Sequence, residues 1–189
     1  MPRSLNVNFT CNDLLEDPSD DTKTYRSEHA LDYPVNVGRM IAREEATTTF
    51  VFVADIELYP SPGLIAKFLQ MIAEQGILDK TVYVTPIFEI SEHARKLPKD
   101  KPELTEMITN DSVIVFHKNF CPSCHTVPKY KEWLQQNASS GLGVFHIAKR
   151  TGNWEPIYLG TNEEPPYDER LSWEGRMDKM TQVLMHFNI

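Results

Sequence analysis

Cysteine, long apolar runs and positive charge are all scarce in this chain. Three cysteines are too few for a disulfide-framework fold, and their odd number leaves at least one unpaired within the chain. No apolar run approaches the roughly 20 residues that cross a bilayer. The opening segment, MPRSLNVNFTCNDLLEDPSDD, has no apolar stretch of signal-peptide length and turns acidic early. Lys and Arg number 19 against 27 Asp and Glu, a net charge of −8. That balance speaks against a nucleic-acid partner or an anionic membrane surface. An anionic small ligand stays open, because a metal or one local Arg reverses the field inside a cleft.

What is present is an ordinary globular composition, 41% hydrophobic and 10% aromatic over 189 residues. That is enough for one domain or for a piece of a larger one. Residues 1–32 read as a polar lead-in, with Asp13, Glu16, Asp17, Asp20 and Asp21 around Pro18. Pro34 opens a helix with Val37, Met40 and Ile41 on one face, ending near Glu45. Phe50 to Ala54 is a continuous apolar run suited to a strand buried on both faces. Pro60, Pro62 and Gly63 mark a turn. Leu64 to Gly76 then reads as a helix with Leu64, Ile65, Phe68, Leu69 and Ile72 on one side. Thr81 to Ile90 is a second strand, broken or edged by Pro86. Strand, helix and strand in this order form a β-α-β unit and imply an α/β sheet.

The second half is less regular. Short helices are expected at Leu104–Thr109 and Pro128–Gln136, and strands at Ser112–His117 and Gly143–Ala148. Trp154 to Gly160 is extended and aromatic, and a final helix is expected from about Trp173 to Phe187.

Three groups of residues could carry chemistry. Asp55 and Glu57 follow the first strand, and ligand sites in open α/β sheets lie at strand carboxyl ends. In extended chain two such side chains project to one side, where they offer hard oxygens to Mg²⁺ or Mn²⁺. Taken alone, such acid pairs are also frequent on surfaces. Cys121-Pro122-Ser123-Cys124, with His125 beside it, reads as a tight structural disulfide, half a zinc site or a redox motif. A structural role ranks first: no second ligand pair exists for zinc, and Pro128 is too close to serve as the distant proline of a thioredoxin-like fold. Tyr167-Asp168-Glu169-Arg170 is a salt-bridge cluster or a cleft-facing base. The six histidines show no ligand spacing. Asn8, Asn110 and Asn137 begin glycosylation tripeptides, which matter only in a secretory compartment.

Taken in order, the strings YPVNVGRMIARE, FVFVADIELYPSPGL, VTPIFEI with ARKLPKDKPEL, FCPSCH with YKEWL, WEPIYLG and PPYDER resemble one family. It is the LARGE-type and β-1,4-glucuronyltransferase family of glycosyltransferases, and the resemblance runs from about Tyr33 to the carboxyl terminus. It implies a partial GT-A-like, Rossmann-related mixed sheet flanked by helices, within residues 33–189. It implies a UDP-sugar donor, glucuronic acid foremost, a glycan or glycoprotein acceptor, manganese, and inversion at the anomeric carbon. Asp55 and Glu57 then stand in the family's Asp-x-Asp position as metal ligands, with Glu57 departing from the usual second Asp. Asp168 or Glu169 is the candidate base, Trp154 and Glu155 line the acceptor side, and Cys121 and Cys124 are structural. The resemblance further implies a type II membrane protein of the Golgi lumen, with its anchor outside these residues. It also implies that these residues are the central and later part of a longer catalytic domain. Two other functions stand beside it: a thiol-disulfide oxidoreductase using Cys121 and Cys124, and an inactive glycan-binding remnant.

Overall fold

The computed structural model describes residues 25–94, 96–137, 141–149, 152–171, 179 and 182. Its first helix, α1 (Tyr25–Glu28), lies in the polar lead-in and buries nothing. Next comes α2 (Val35–Glu44), preceded by Pro34. The expected apolar face of α2 packs only in part, through Met40, whose Sδ accepts from Tyr167 N. Asn36 and Arg43 are buried, whereas Ile41 is exposed. The helix lies against a loop rich in backbone carbonyls, so donors rather than methyls face inward.

The main sheet has three strands in the order β1 (Phe50–Phe52), β5 (Tyr158–Thr161), β2 (Tyr83–Val84). Both outer strands run antiparallel to β5, with Phe52 and Tyr83 opposite Leu159 from either side. β1 and β2 are therefore parallel to each other and joined through helix α3 (Leu64–Gln75). The expected β-α-β unit exists, but a strand from 70 residues further on is threaded between its two strands. The fold is accordingly α/β, with antiparallel hydrogen-bonded neighbours.

α3 covers this sheet with a narrow stripe. Phe68 and Met71 are buried, joined by Leu159, with Phe50, Phe52, Ile72 and Tyr83 packed around them. The Phe68 ring stands edge-on to Phe50 and Tyr83, with centroids 5.1 and 5.2 Å away, favourable geometry for aromatic pairs. Ile65 and Leu69, expected on the same apolar side, are exposed. Three short strands are too narrow a floor to receive more of the helix.

A second sheet pairs β3 (Phe88–Ile90) with β4 (Val113–Val115), antiparallel, with Phe88 opposite Val115. Pro86 separates β2 from β3. Thr85 still donates to Ile157 O, whereas Phe116 donates to Ile87 O, so one extended segment changes sheets across Pro86. A residue without an N–H cannot continue a ladder, which suits it to that switch. Helix α4 (Lys101–Thr109) is N-capped by Asp100, which accepts from Glu103 N. Helix α5 (Pro122–His125) and helix α6 (Tyr130–Gln135) complete this half. Phe88 meets Tyr130 and Trp133 of α6, and Lys101 of α4 lies 4.4 Å from the Trp133 ring centroid.

Gly143–Ala148, expected as a strand, is irregular and exposed throughout. Its apolar residues have no ladder to join. The final expected helix, at 173–187, falls outside the described residues except for Lys179 and Gln182.

Candidate active site

Asp55 lies just beyond β1, where the chain turns. Leu58 N donates to Asp55 O at 2.9 Å, which closes a turn over 55–58. The pair Asp55 and Glu57 is therefore presented by a turn, and the alternation of extended chain does not apply to it. The Asp55 carboxylate accepts from Arg39 Nη2 at 3.2 Å and, on its other oxygen, from Lys179 Nζ. Partial burial pushes the Asp55 carboxyl up, but the hydrogen bonds and charges of Lys179 and Arg39 outweigh it and hold the group below its ordinary value. Asp55 is thus ionised and oriented. Glu57 is exposed in the same turn, and Ile56 between them is 96% exposed. Among the described residues no group of three His, Cys, Asp or Glu could hold a metal ion.

Arg39 links Asp55 to the second acidic segment. It donates to Asn36 Oδ1 at 3.0 Å, and Asn36 Nδ2 in turn donates to Asp168 O at 2.9 Å. Tyr167, buried, sits beneath the guanidinium groups of Arg39 and Arg43, 5.5 and 5.9 Å from its ring centroid. Arg43 donates to the carbonyls of Pro165, Asn162 and Glu164 at 2.9, 3.2 and 2.7 Å. One face of α2, carrying Asn36, Arg39, Met40 and Arg43, therefore holds the whole loop before Asp168. The spacing i, i+3, i+4, i+7 is that of a single helical stripe.

The two candidate bases differ in surroundings. The Asp168 carboxylate accepts from Arg170 Nε at 2.9 Å and Nη2 at 2.7 Å. Those side-chain bonds, with Arg170 N donating as well, bring its pKa down to about 2. Glu169 is exposed beside it.

Trp154 and Glu155 lie across from α5. Glu155 N donates to Cys124 O at 2.6 Å, and His125 Nδ1 donates to Glu155 O at 3.1 Å. Donation from Nδ1 fixes the neutral tautomer of His125 and leaves Nε2 as the acceptor. Burial holds His125 below its ordinary pKa, with His117 and Lys179 adding to the effect and the Glu155 carbonyl and Asp55 opposing it. Cys121 and Cys124 are joined in a disulfide, with Cys124 buried. The four residues of α5 supply little of the helix field that activates a redox cysteine.

The structure thus links Asp55 to the Tyr167-Asp168 loop through Arg39 and Asn36, and Glu155 to the disulfide segment through Cys124 and His125. Asn110 and Asn137 are exposed and remote from these contacts, and Asn110 Oδ1 accepts from Ser112 N at 3.0 Å. Asn8 lies outside the described residues.

Known proteins place this chain in a family. The sequence profile described as glycosyl-transferase for dystroglycan matches residues 2–187. The chain belongs to that family. It is similar to β-1,4-glucuronyltransferase 1 of Danio rerio, with 33% identity over 163 residues, 85% of this chain and 38% of the relative. The mouse protein of the same name is 32% identical over 143 residues, 76% of this chain and 34% of its own length. Mouse xylosyl- and glucuronyltransferase LARGE2 is 30% identical over 142 residues, 74% of this chain and 20% of its own. The chain spans well under half the length of these relatives.

In this family member, sequence reasoning named His125 beside the cysteines but passed over Asn36, Arg39, Arg43 and Lys179. The α2 residues carried a signal, a polar stripe at helical spacing that the apolar reading overlooked. Lys179 carried none, because only the tertiary fold brings it to a carboxylate 124 residues away.

Proposed function

We propose that this chain forms the catalytic region of a glycosyltransferase that moves glucuronic acid from UDP-glucuronic acid to a glycan or glycoprotein acceptor, with inversion and with manganese. The observation that carries the reading is the ionised, oriented Asp55 at the carboxyl end of β1, in a chain whose relatives are named glucuronyltransferases.

The residues fit a divalent ion that is shared with its substrate. Such ions are commonly held by one or two carboxylates, with substrate phosphates and water completing the shell. Asp55 and Glu57 would supply those carboxylates. When bound, the ion would neutralise the charge that develops on the departing UDP.

The other roles fall to the chain's own groups. Arg39 and Lys179 orient the Asp55 carboxylate. α2 positions the loop bearing the base through Asn36, Arg39 and Arg43. With the Asp168 carboxylate engaged by Arg170, Glu169 takes the proton from the acceptor hydroxyl as that oxygen attacks the anomeric carbon. Trp154 and Glu155 form the acceptor side. By resemblance the protein works in the Golgi lumen, and exposed Asn110 and Asn137 suit lumenal glycosylation. No described helix is long and apolar enough to cross a membrane.

Calorimetric titration of the chain with UDP-glucuronic acid, with and without Mn²⁺, tests this reading. Binding should require Mn²⁺ and weaken about tenfold or more in Asp55→Asn, for loss of a charged ligand group. Equal binding by the variant would sink the metal assignment. Where the full catalytic domain is assayed, Glu169→Gln should lose far more kcat than Asp168→Asn, and the reverse order would transfer the base role to Asp168.

A further inference from the structure

Both oxygens of the Asp55 carboxylate are engaged by cations of the chain itself. Arg39 Nη2 donates to one at 3.2 Å, and Lys179 Nζ donates to the other. We propose that Lys179 is an exchangeable cation of the donor site, holding the divalent ion's place on Asp55 and passing to the donor diphosphate when that place is taken. The inference rests on the sugar-transfer reading above and adds a residue to its donor side.

Occupancy decides the first half of the exchange. An ion on Asp55 needs a carboxylate oxygen, and each of the two is already held by a cation. The Asp55 side chain is 33% exposed, so it can be reached from solvent, and what opposes an arriving ion is the charge in place. An ammonium left on the carboxylate would meet the ion at close range with like charge. One of the two residues must therefore turn away.

The surroundings select Lys179. Arg39 belongs to α2 and is held there as well, donating to Asn36 Oδ1 at 3.0 Å and lying 5.5 Å from the Tyr167 ring centroid. Asn36 in turn donates to Asp168 O, so turning Arg39 would disturb the loop that bears the base. Lys179 is a compact charge on a flexible four-carbon stem and can swing without moving its backbone. The segment it springs from is anchored. Gln182, three residues on, is 2% exposed, accepts from Tyr158 Oη and donates to Pro165 O at 2.7 Å. A released Nζ therefore stays within one side chain's reach of Asp55, where substrate phosphates would complete the shell of the ion. An ammonium meeting a phosphate there makes a charge-assisted hydrogen bond. The half-buried Asp55 carboxylate keeps a cation partner at each stage.

The test follows Mn²⁺ binding to the whole chain by the electron-spin resonance of the free ion, and UDP binding by calorimetry. Lys179→Met should bind Mn²⁺ alone about tenfold more tightly, because a competing charge is gone. In saturating Mn²⁺ the same variant should bind UDP about tenfold more weakly, for loss of a charged hydrogen bond. The opposite signs are the signature, since removing a lysine that only supports the fold would weaken both. Should Lys179→Met fail to fold, Lys179→Gln, which keeps a donor for Asp55 without the charge, must show the same pair of shifts. Unchanged or weaker Mn²⁺ binding, or unchanged or tighter UDP binding, in the folded variant overturns the proposal and leaves the metal reading standing. Mn²⁺ binding as tight to Asp55→Asn as to the unaltered chain removes the metal reading, and this inference falls with it.

Discussion

Arg43 is buried without a carboxylate beside it among its described bonds; its three hydrogen bonds end on main-chain carbonyls. Its charge is dispersed over the dipoles of the loop it holds, and Tyr167 lies beneath it. The Arg43 Nε is buried without a hydrogen-bond partner among the described residues, but shortening the side chain leaves the three carbonyls stranded. Arg43→Gln should therefore destabilise the chain by about 2–3 kcal/mol, read as a drop in the urea midpoint. Arg43→Lys should recover only part of that, since one ammonium cannot span three carbonyls in a fixed fork. A neutral result for Arg43→Gln would mean that the loop before Asp168 is held by other means.

α2 shows how an element can be found correctly and turned the wrong way. Its limits follow from Pro34 and from helical spacing, and the structure has them at Val35–Glu44. Its orientation follows from what it meets. Pattern reading ranks Val37, Met40 and Ile41 as the inner face, but the neighbouring loop exposes carbonyls, and the face that can donate wins. α3 differs in degree: Phe68 and Ile72 pack as periodicity predicts, while Ile65 and Leu69 find no floor. α4 is the most self-explanatory helix. Asp100 accepts from Glu103 N, and Glu103 Oε2 accepts from Lys99 N, close to a reciprocal cap. Asp100→Ala should cost about 1 kcal/mol in thermal or urea unfolding, without altering UDP-sugar binding. A larger loss, or a change in binding, would show that α4 does more than support β4.

At the scale of the molecule, two small sheets share one extended segment across Pro86, Asp55 is paired with Lys179 and Arg39, and His125 is buried in its neutral form. Two of those groups make stability depend on pH. His125 is held neutral below its ordinary pKa, so its contribution is complete above about pH 6.5 and is lost as pH falls beneath it. Asp55 is held ionised below its ordinary value, so its contribution is complete above about pH 4 and is lost in more acid solution. The urea midpoint should fall in two steps on acidification, and Asp55→Asn should shrink the second step while leaving the first, the remainder coming from carboxylates such as Asp168 that are also held below their ordinary values. A midpoint flat from pH 8 to pH 5 would mean that His125 is not buried neutral.

Local chemistry, by itself, determined the helices at Val35–Glu44 and Leu64–Gln75, the Leu104–Thr109 part of α4, the strand cores at Phe50–Phe52 and Val113–Val115, the interruption at Pro86 and the family. Those features arise from periodicity, caps, missing donors and motif order, which neighbouring residues specify among themselves. The tertiary structure alone decided that β5 lies between β1 and β2, that Gly143–Ala148 forms no strand, that α2 turns its donors inward, and that Lys179 and Arg39 meet on Asp55. Each of these depends on partners distant in sequence. Which hydrogen-bonding group or charge a side chain finds across the fold is settled by what is left unsatisfied once the whole chain has packed.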